Sequence, residues 1–117
     1  MINSFKDLEI YKKSYNLALK LHERTKSFPE EEKYDLTSQI RRCSKSIPTN
    51  ISEGYGRQSK EEFKRFLRIS LGSCNELQVH LEFCKDLKYI TEDEYKDLND
   101  ETIIIGKMLN VAIQKWK

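Results

Sequence analysis

The sequence predicts an all-α protein, an antiparallel up-down-up-down four-helix bundle formed as a single domain by residues 1–117. Apolar residues recur every three or four positions in four separate stretches, which is the period of one helix face. The chain has only four glycines and two prolines, too few for the many tight turns of an all-β fold. Charged residues make up 34% of the chain, which fits helices that each expose a broad face to water.

Helix one is predicted to run from its N-cap residue, Ser4, to about Lys26. Its apolar residues form two adjacent stripes, so this helix should contact more than one neighbour. Pro29 is suited to the first turn of the next helix, and the three glutamates after it lie where the helix dipole favours negative charge. Helix two is therefore predicted from about Glu30 to Ser52 or Glu53.

Pro48 lies inside helix two, where it removes one backbone hydrogen-bond donor. Because the apolar stripe resumes in register at Ile51, we predict a kink at Pro48 rather than a break, and we expect Gly54 and Gly56 to end the helix. A glutamate at a helix C-terminus needs a cationic partner, which for Glu53 is Arg57 or Arg41. We interpret four residues as a hydrogen-bonded structural lock at the kink: Pro48, Asn50, Glu53 and Gly54.

Two capping boxes mark the remaining helices. Ser59 and Glu62 begin helix three, which is predicted to run from Lys60 to about Lys88. Thr91 and Glu94 begin helix four, whose apolar stripe continues through the C-terminal residues to Trp116. The wide apolar faces of helices one and four exceed what a lone bundle can bury, which predicts self-association.

Positive charge is concentrated in residues 41–68, which contain eight Lys/Arg and three Asp/Glu. Residues 1–40 have no net charge, and residues 69–117 carry a net charge of −3. Lys64 and Arg68 are four residues apart and therefore share a helix face. Such a basic line can neutralise nucleic-acid phosphates, or it can be a solvated face that pairs with acids of this chain and of neighbouring subunits. The candidate nucleic-acid-binding residues are Arg41, Arg42, Lys45, Arg57, Lys64, Arg65 and Arg68.

No motif of catalysis or cofactor binding occurs in the sequence, so we expect neither an enzyme nor a cofactor. Glu76, His80 and Cys84 are spaced by four and could form one edge of a metal site. No second cluster completes four ligands, so we predict no metal site. The three cysteines lack C-x-x-C spacing, and no stretch resembles a signal peptide or a membrane span, which predicts free thiols, no membrane partner and a cytoplasmic location.

A set of separated motifs covers almost the whole chain. They are F-x-x-L at Phe5–Leu8, F-P at Phe28-Pro29, Q-I-R-R at Gln39–Arg42, S-I-P-x-N-I-x-E-G at Ser46–Gly54, G-R-x-S at Gly56–Ser59, E-F-x-R-F-L at Glu62–Leu67 and G-S-x-x-E-L at Gly72–Leu77. With these motifs the chain resembles the bacterial 23S rRNA intervening-sequence protein family, also called the S23 or four-helix-bundle protein family. One departure is Lys88, which stands where a glycine often precedes the tyrosine.

The resemblance implies an antiparallel four-helix bundle that assembles into a ring-like homopentamer. Members of the family are often encoded within insertions in 23S rRNA genes. A similar protein is an accessory factor of diversity-generating retroelements, where it works with a reverse transcriptase and nucleic acid. The expected partners are thus further copies of the chain, RNA or DNA, and another protein such as a reverse transcriptase. The alternative is a protein–protein assembly or adaptor scaffold with no direct nucleic-acid role.

Overall fold

Four α-helices account for most of residues 2–115, which are the residues that the computed structural model describes: α1 (Glu9–Thr25), α2 (Leu36–Gly56), α3 (Lys60–Asp86) and α4 (Glu92–Lys115). Each helix packs against the next, and α1 also contacts α4, which closes an antiparallel bundle of 42 × 23 × 22 Å. The predicted all-α bundle is confirmed. Trp116, the last residue of the predicted stripe of helix four, lies outside the described residues.

The predicted apolar stripes meet along the axis of the bundle and form its core. Burial of these side chains is the main favourable term in the folding free energy. The largest fully buried side chains include Leu17, Leu21, Ile40, Ile47, Ile51, Leu67, Leu77, Leu81, Ile105 and Leu109. All three cysteines are buried free thiols, and burial raises the pKa of each to about 12. Within residues 2–115, none of the helices has the length and hydrophobicity that a membrane span requires.

The predicted starts of helices one and two were wrong, because each prediction fell on a single 3₁₀ turn that precedes the helix. Ser4 does act as a cap: its hydroxyl accepts from the Lys6 amide at 3.1 Å, but the turn that it begins covers only Phe5–Asp7. Pro29 likewise precedes the short turn Glu30–Glu32, and α2 begins later, at Leu36. The capping residues therefore marked the correct regions of the chain, but they placed the starts of the two α-helices one turn or more too early.

Gly54 and Gly56 were expected to end helix two after Ser52 or Glu53. α2 does end at Gly56, but it runs through Gly54 and is therefore longer than predicted. Gly54 is buried, and a Cβ atom placed there would lie 2.7 Å from the Cβ of Phe66 and 3.1 Å from the Phe63 ring. Gly54 is thus needed for the close approach of α2 and α3 rather than for a turn. The helix is continuous through Pro48, and the kink predicted there stays a prediction.

The ends of α2 and α3 are instead marked by two residues in the left-handed region. Gln58 has φ 56°, and Lys88 has φ 66°. A left-handed residue after a helix is common and is most often glycine, because a Cβ atom makes this conformation costly by about 1–2 kcal/mol. Lys88 is the position at which the resemblance led us to expect a glycine, so its backbone conformation accounts for that family preference.

Hydrogen bonds between α2 and α3 fix the register of the two helices. The Ser70 hydroxyl donates to the Ile47 carbonyl at 2.9 Å, and the Cys43 thiol donates to the Ser73 carbonyl at 3.0 Å. The hydroxyls of Ser46 and Ser73 are also hydrogen-bonded to each other. Because small polar side chains reach across this interface, the two backbones lie close together over much of their shared length.

An ion pair joins α1 to the start of α4. The Arg24 guanidinium donates to both carboxylate oxygens of Glu94, at 2.6 and 3.0 Å, and to the Tyr89 carbonyl at 2.9 Å. Glu94 also accepts from the Thr91 amide, as the predicted capping box requires. The hydrogen bond from Arg24, followed by that from the Thr91 amide, lowers the pKa of Glu94 to about 2.

The two glycines of α2 should respond oppositely to alanine. In Gly54→Ala the new methyl group meets Phe66 and Phe63, and this overpacking costs about 1–3 kcal/mol, more than the gain in helix propensity. In Gly56→Ala the new methyl group has no atom within 4 Å. The free energy of unfolding should therefore stay at the wild-type value or rise by up to about 0.5 kcal/mol, because alanine has the higher helix propensity. Urea denaturation of both variants measures the difference; equal stabilities would contradict the close approach.

Glu94→Gln should destabilise the bundle in a pH-dependent way. Folding lowers the pKa of this carboxyl from its value in the unfolded chain, near 4.5, to about 2. The ionised carboxylate therefore adds to the free energy of unfolding above pH 4.5, and this contribution disappears as the pH falls towards about 2. Because both partners are partly exposed, we expect a loss of about 1 kcal/mol at pH 7, and a difference from wild type that shrinks between those two pH values. Urea denaturation across this pH range measures the difference in stability.

The control is Glu92→Gln, which lies in the same helical turn and has no ion pair with the described residues. An equal loss of stability in both variants would refute the role of Glu94.

Candidate nucleic-acid interface

The seven basic candidates fall into two groups according to what their side chains contact. Three of them form hydrogen bonds or ion pairs within the chain: Arg41, Arg57 and Arg65. Across residues 2–115, the other four have no acidic partner: Arg42, Lys45, Lys64 and Arg68. An arginine already held by carboxylates offers less charge to an external anion, so the two groups have different capacities for binding phosphate.

Arg41 completes the end of α1. Its Nε donates to the Thr25 hydroxyl at 2.9 Å, and its Nη2 donates to the His22 carbonyl at 3.2 Å. Carbonyls in the last turn of a helix lack partners within the helix, so Arg41 supplies one from α2. The positive charge of Arg41 is also the main cause that lowers the pKa of His22. Arg41 is half-buried in this position, so its guanidinium is already engaged within the chain.

Arg57 and Arg65 both lie near the Phe66 ring and share a carboxylate, that of Glu62. Arg65 Nε donates to Glu62 at 2.9 Å, which lowers the pKa of Glu62, while Arg57 lies 3.9 Å from Glu62. The guanidinium carbons are 5.2 Å (Arg57) and 4.5 Å (Arg65) from the centre of the Phe66 ring. Arg57 also pairs with Glu53 at 2.8 Å. Two arginines therefore face two glutamates, and the local charge is largely balanced.

The four residues of the predicted structural lock have different surroundings. Glu53 pairs with Arg57, one of the two partners expected for it. The Asn50 side-chain amide donates to the Ser46 carbonyl at 2.8 Å within α2. Pro48 is buried, and Gly54 adjoins Phe66. Asn50 and Glu53 thus bind different groups, and Gly54 contributes through its lack of a side chain.

The four basic residues without an acidic partner occupy three places. Arg42 lines a groove between α2 and α3 that also contains Gln39 and Glu76. Lys45 lines a largely apolar groove of about 400 Å³ between α1 and α2. Lys64 and Arg68 lie one turn apart on α3, about 6 Å along its axis. The full candidate set spans about 24 Å, from Arg41 in α2 to Arg57 at its C-cap, so it does not form one compact cluster.

A group of three metal-binding side chains lies in the groove beside Arg42. The Cys43 sulfur, a Glu76 carboxylate oxygen and a His80 ring nitrogen all lie within 4.8 Å of one another. Glu76 and His80 are the two members that their spacing on α3 had already indicated, and Cys43 on α2 takes the place expected for Cys84. Sequence spacing missed Cys43 because its position depends on the register between two helices. Small residues that face each other across the interface, such as Ser46 and Ser73, are the sequence signal that points to this register.

Two comparisons with known proteins agree with this fold. The model of the family described as 23S rRNA-intervening sequence protein matches residues 6–111. The crystal structure of a protein with unknown function from the S23 ribosomal protein family of Bacteroides thetaiotaomicron VPI-5482 is 29% identical in sequence. The match covers 90% of this chain and 95% of that one, with a TM-score of 0.81. No curated protein sequence matches the chain.

Proposed function

The chain belongs to the 23S rRNA-intervening sequence protein family, and from that premise we propose a non-enzymatic, cytoplasmic homo-oligomer that binds RNA or DNA through the phosphate backbone. The proposal rests on those members of the basic segment 41–68 named above as candidates that form no ion pair with an acidic residue in residues 2–115. These residues are Arg42, Lys45, Lys64 and Arg68. In this proposal Arg41, Arg57 and Arg65 have structural roles, because each is already bound within the chain.

Lys64 and Arg68 form the most favourable part of this surface. Four residues apart on one helix, they point to the same side and can contact neighbouring phosphates. Phosphate contacts fix a protein on nucleic acid without reading the base sequence, so we expect affinity without strong sequence preference. Each contact releases counterions, so binding should weaken steeply as the salt concentration rises.

Self-association is supported by apolar side chains that the bundle leaves exposed. On α3, Val79 and Phe83 are one turn apart and are 52% and 55% exposed. On α1, Tyr15 and Leu19 are also exposed and line the groove that contains Lys45. A ring requires two different surfaces that fit each other, and a closed homopentamer is the assembly that we propose. A ring would repeat the basic side chains of α3 around its circumference and so strengthen phosphate binding.

The second candidate function is a protein–protein adaptor, with a partner such as a reverse transcriptase and no direct contact with nucleic acid. The same exposed apolar side chains favour it, because such surfaces also mark binding sites for other proteins. The two functions differ in what the basic residues do. An adaptor would keep its partner when the side chains of Lys64 and Arg68 are removed.

The nucleic-acid proposal is tested by the salt dependence of binding. Lys64→Ala/Arg68→Ala should weaken binding to a structured RNA and to duplex DNA, and should reduce the slope of log affinity against log salt by about two per chain. The matched control is Lys13→Ala/Lys96→Ala, which removes two exposed charges that form no ion pair with the described residues. Fluorescence anisotropy at several salt concentrations gives both slopes. Equal slopes in the two variants, or binding that salt does not affect, would contradict the proposal.

The assembly is tested separately by placing a charge on the exposed face of α3. Phe83→Asp should reduce the mass of the wild-type oligomer in light scattering at micromolar concentration, because a carboxylate is costly to bury in an apolar interface. Phe83 lies outside the core, so the variant bundle should still fold. Any fall in its melting temperature should come from dissociation of the oligomer and not from damage to the core. Asn110→Asp adds the same charge at an exposed position of α4, outside the α3 face that contains Val79 and Phe83, and should leave the mass unchanged. A wild-type protein that is only monomeric would refute self-association.

A further inference from the structure

We propose that Cys43, Glu76 and His80 bind a zinc ion at the interface of α2 and α3. This site is independent of the nucleic-acid surface and of the oligomer, so it stands or falls on its own experiment. The reason to propose it is that three side chains of the types that bind zinc converge from two helices. It differs from our expectation from the sequence, which was that the chain has no metal site.

The distances between the donor atoms fit a tetrahedral ion. Zinc binds sulfur at about 2.3 Å, and nitrogen and oxygen at about 2.0–2.2 Å, so two ligand atoms in a tetrahedron are about 3.3–3.8 Å apart. His80 Nε2 and Glu76 Oε2 are 3.1 Å apart, and no pair among the three donors exceeds 4.8 Å. Side-chain movements of about 1 Å would thus bring all three donors onto one ion.

The surroundings leave one coordination position open to water. Cys43 and His80 are 5% and 9% exposed, whereas the Glu76 side chain is 59% exposed. The groove next to them has a volume of about 450 Å³ and is lined by Gln39, Arg42, Cys43, Ser46 and Glu76. An ion can therefore enter from this groove, and a water molecule can complete the four ligands. Three protein ligands with an open fourth position are typical of zinc sites that exchange their ion or bind a further group.

The mixture of sulfur, nitrogen and oxygen donors selects the metal. Calcium and magnesium take oxygen ligands only, and a thiolate with an imidazole favours zinc among the abundant divalent ions. Binding requires the Cys43 thiol to lose its proton and its hydrogen bond to the Ser73 carbonyl. The Arg42 guanidinium lines the same groove and opposes a cation. Because of these two costs, we expect the site to bind zinc more weakly than a structural zinc site does.

Binding would also link the two helices whose register defines the bundle. Cys43 belongs to α2, and Glu76 and His80 belong to α3. An ion held by the folded chain and not by the unfolded one stabilises the fold in proportion to its occupancy. Zinc should therefore raise the melting temperature, and this readout requires neither nucleic acid nor a partner protein.

The experiment uses the full chain after treatment with a chelator and titrates it with Co²⁺ and then with Zn²⁺. Wild-type protein should bind one ion per chain and show a thiolate-to-cobalt charge-transfer band that zinc removes. Cys43→Ser should abolish that band, and Glu76→Gln and His80→Gln should each weaken zinc binding by more than about tenfold in calorimetry. Glu76→Gln changes an exposed side chain and is the variant least able to disturb folding.

Cys84→Ser is the matched control, because Cys84 is also a buried thiol but is not among the three converging donors. This variant should keep the charge-transfer band, the affinity and the rise in melting temperature. No cobalt band in wild-type protein, a band that survives in Cys43→Ser, or an equal loss of zinc affinity in Cys84→Ser and Glu76→Gln would each overturn the proposed site.

Discussion

The close approach of α2 and α3 is the constraint on which the rest of the structure depends. At one end of the shared interface, Gly54 lies so near Phe66 that no side chain fits between the helices. Further along, Ser70 and Cys43 donate across the interface to backbone carbonyls of α2 and α3 respectively. Small residues allow short distances, and short distances allow these hydrogen bonds, so the register of the pair is fixed at several points. α1 then packs against α2, α4 packs against α3, and α1 and α4 contact each other.

The same register determines which side chains meet at the surface. It brings Cys43 beside Glu76 and His80, although 33 positions separate Cys43 from Glu76 in the sequence. It also brings the end of α2 beside the start of α3, where Arg57 reaches Glu62 and both arginines border Phe66. The basic segment of the sequence is therefore divided: Arg57 and Arg65 pair with glutamates of the hairpin, whereas Lys64 and Arg68 form no ion pair with the described residues. Net charge alone could not make that distinction.

The sequence was informative where a local pattern decides the structure. The apolar periodicity predicted the four helices and their core, and the pairs Ser59–Glu62 and Thr91–Glu94 located the starts of α3 and α4. Prediction from the sequence failed where a contact between residues far apart in the chain determines the structure. Gly54 resembles a helix terminator, and only the presence of Phe66 shows why a glycine is needed there. The 3₁₀ turns before α1 and α2 carry the same capping residues as a true helix start, so capping alone could not separate the two.

The register of α2 against α3 underlies both the core and the surface sites, and disulfide trapping can measure it. In a chain whose three native cysteines are replaced by alanine, Ser46→Cys/Ser73→Cys should form an intrachain disulfide under mild oxidation, because the two hydroxyls are hydrogen-bonded to each other. The pair Ser46→Cys/Ile69→Cys, displaced by one helical turn, should stay reduced. Free thiols in the first pair, or equal oxidation of both pairs, would contradict the register and the sites that it creates.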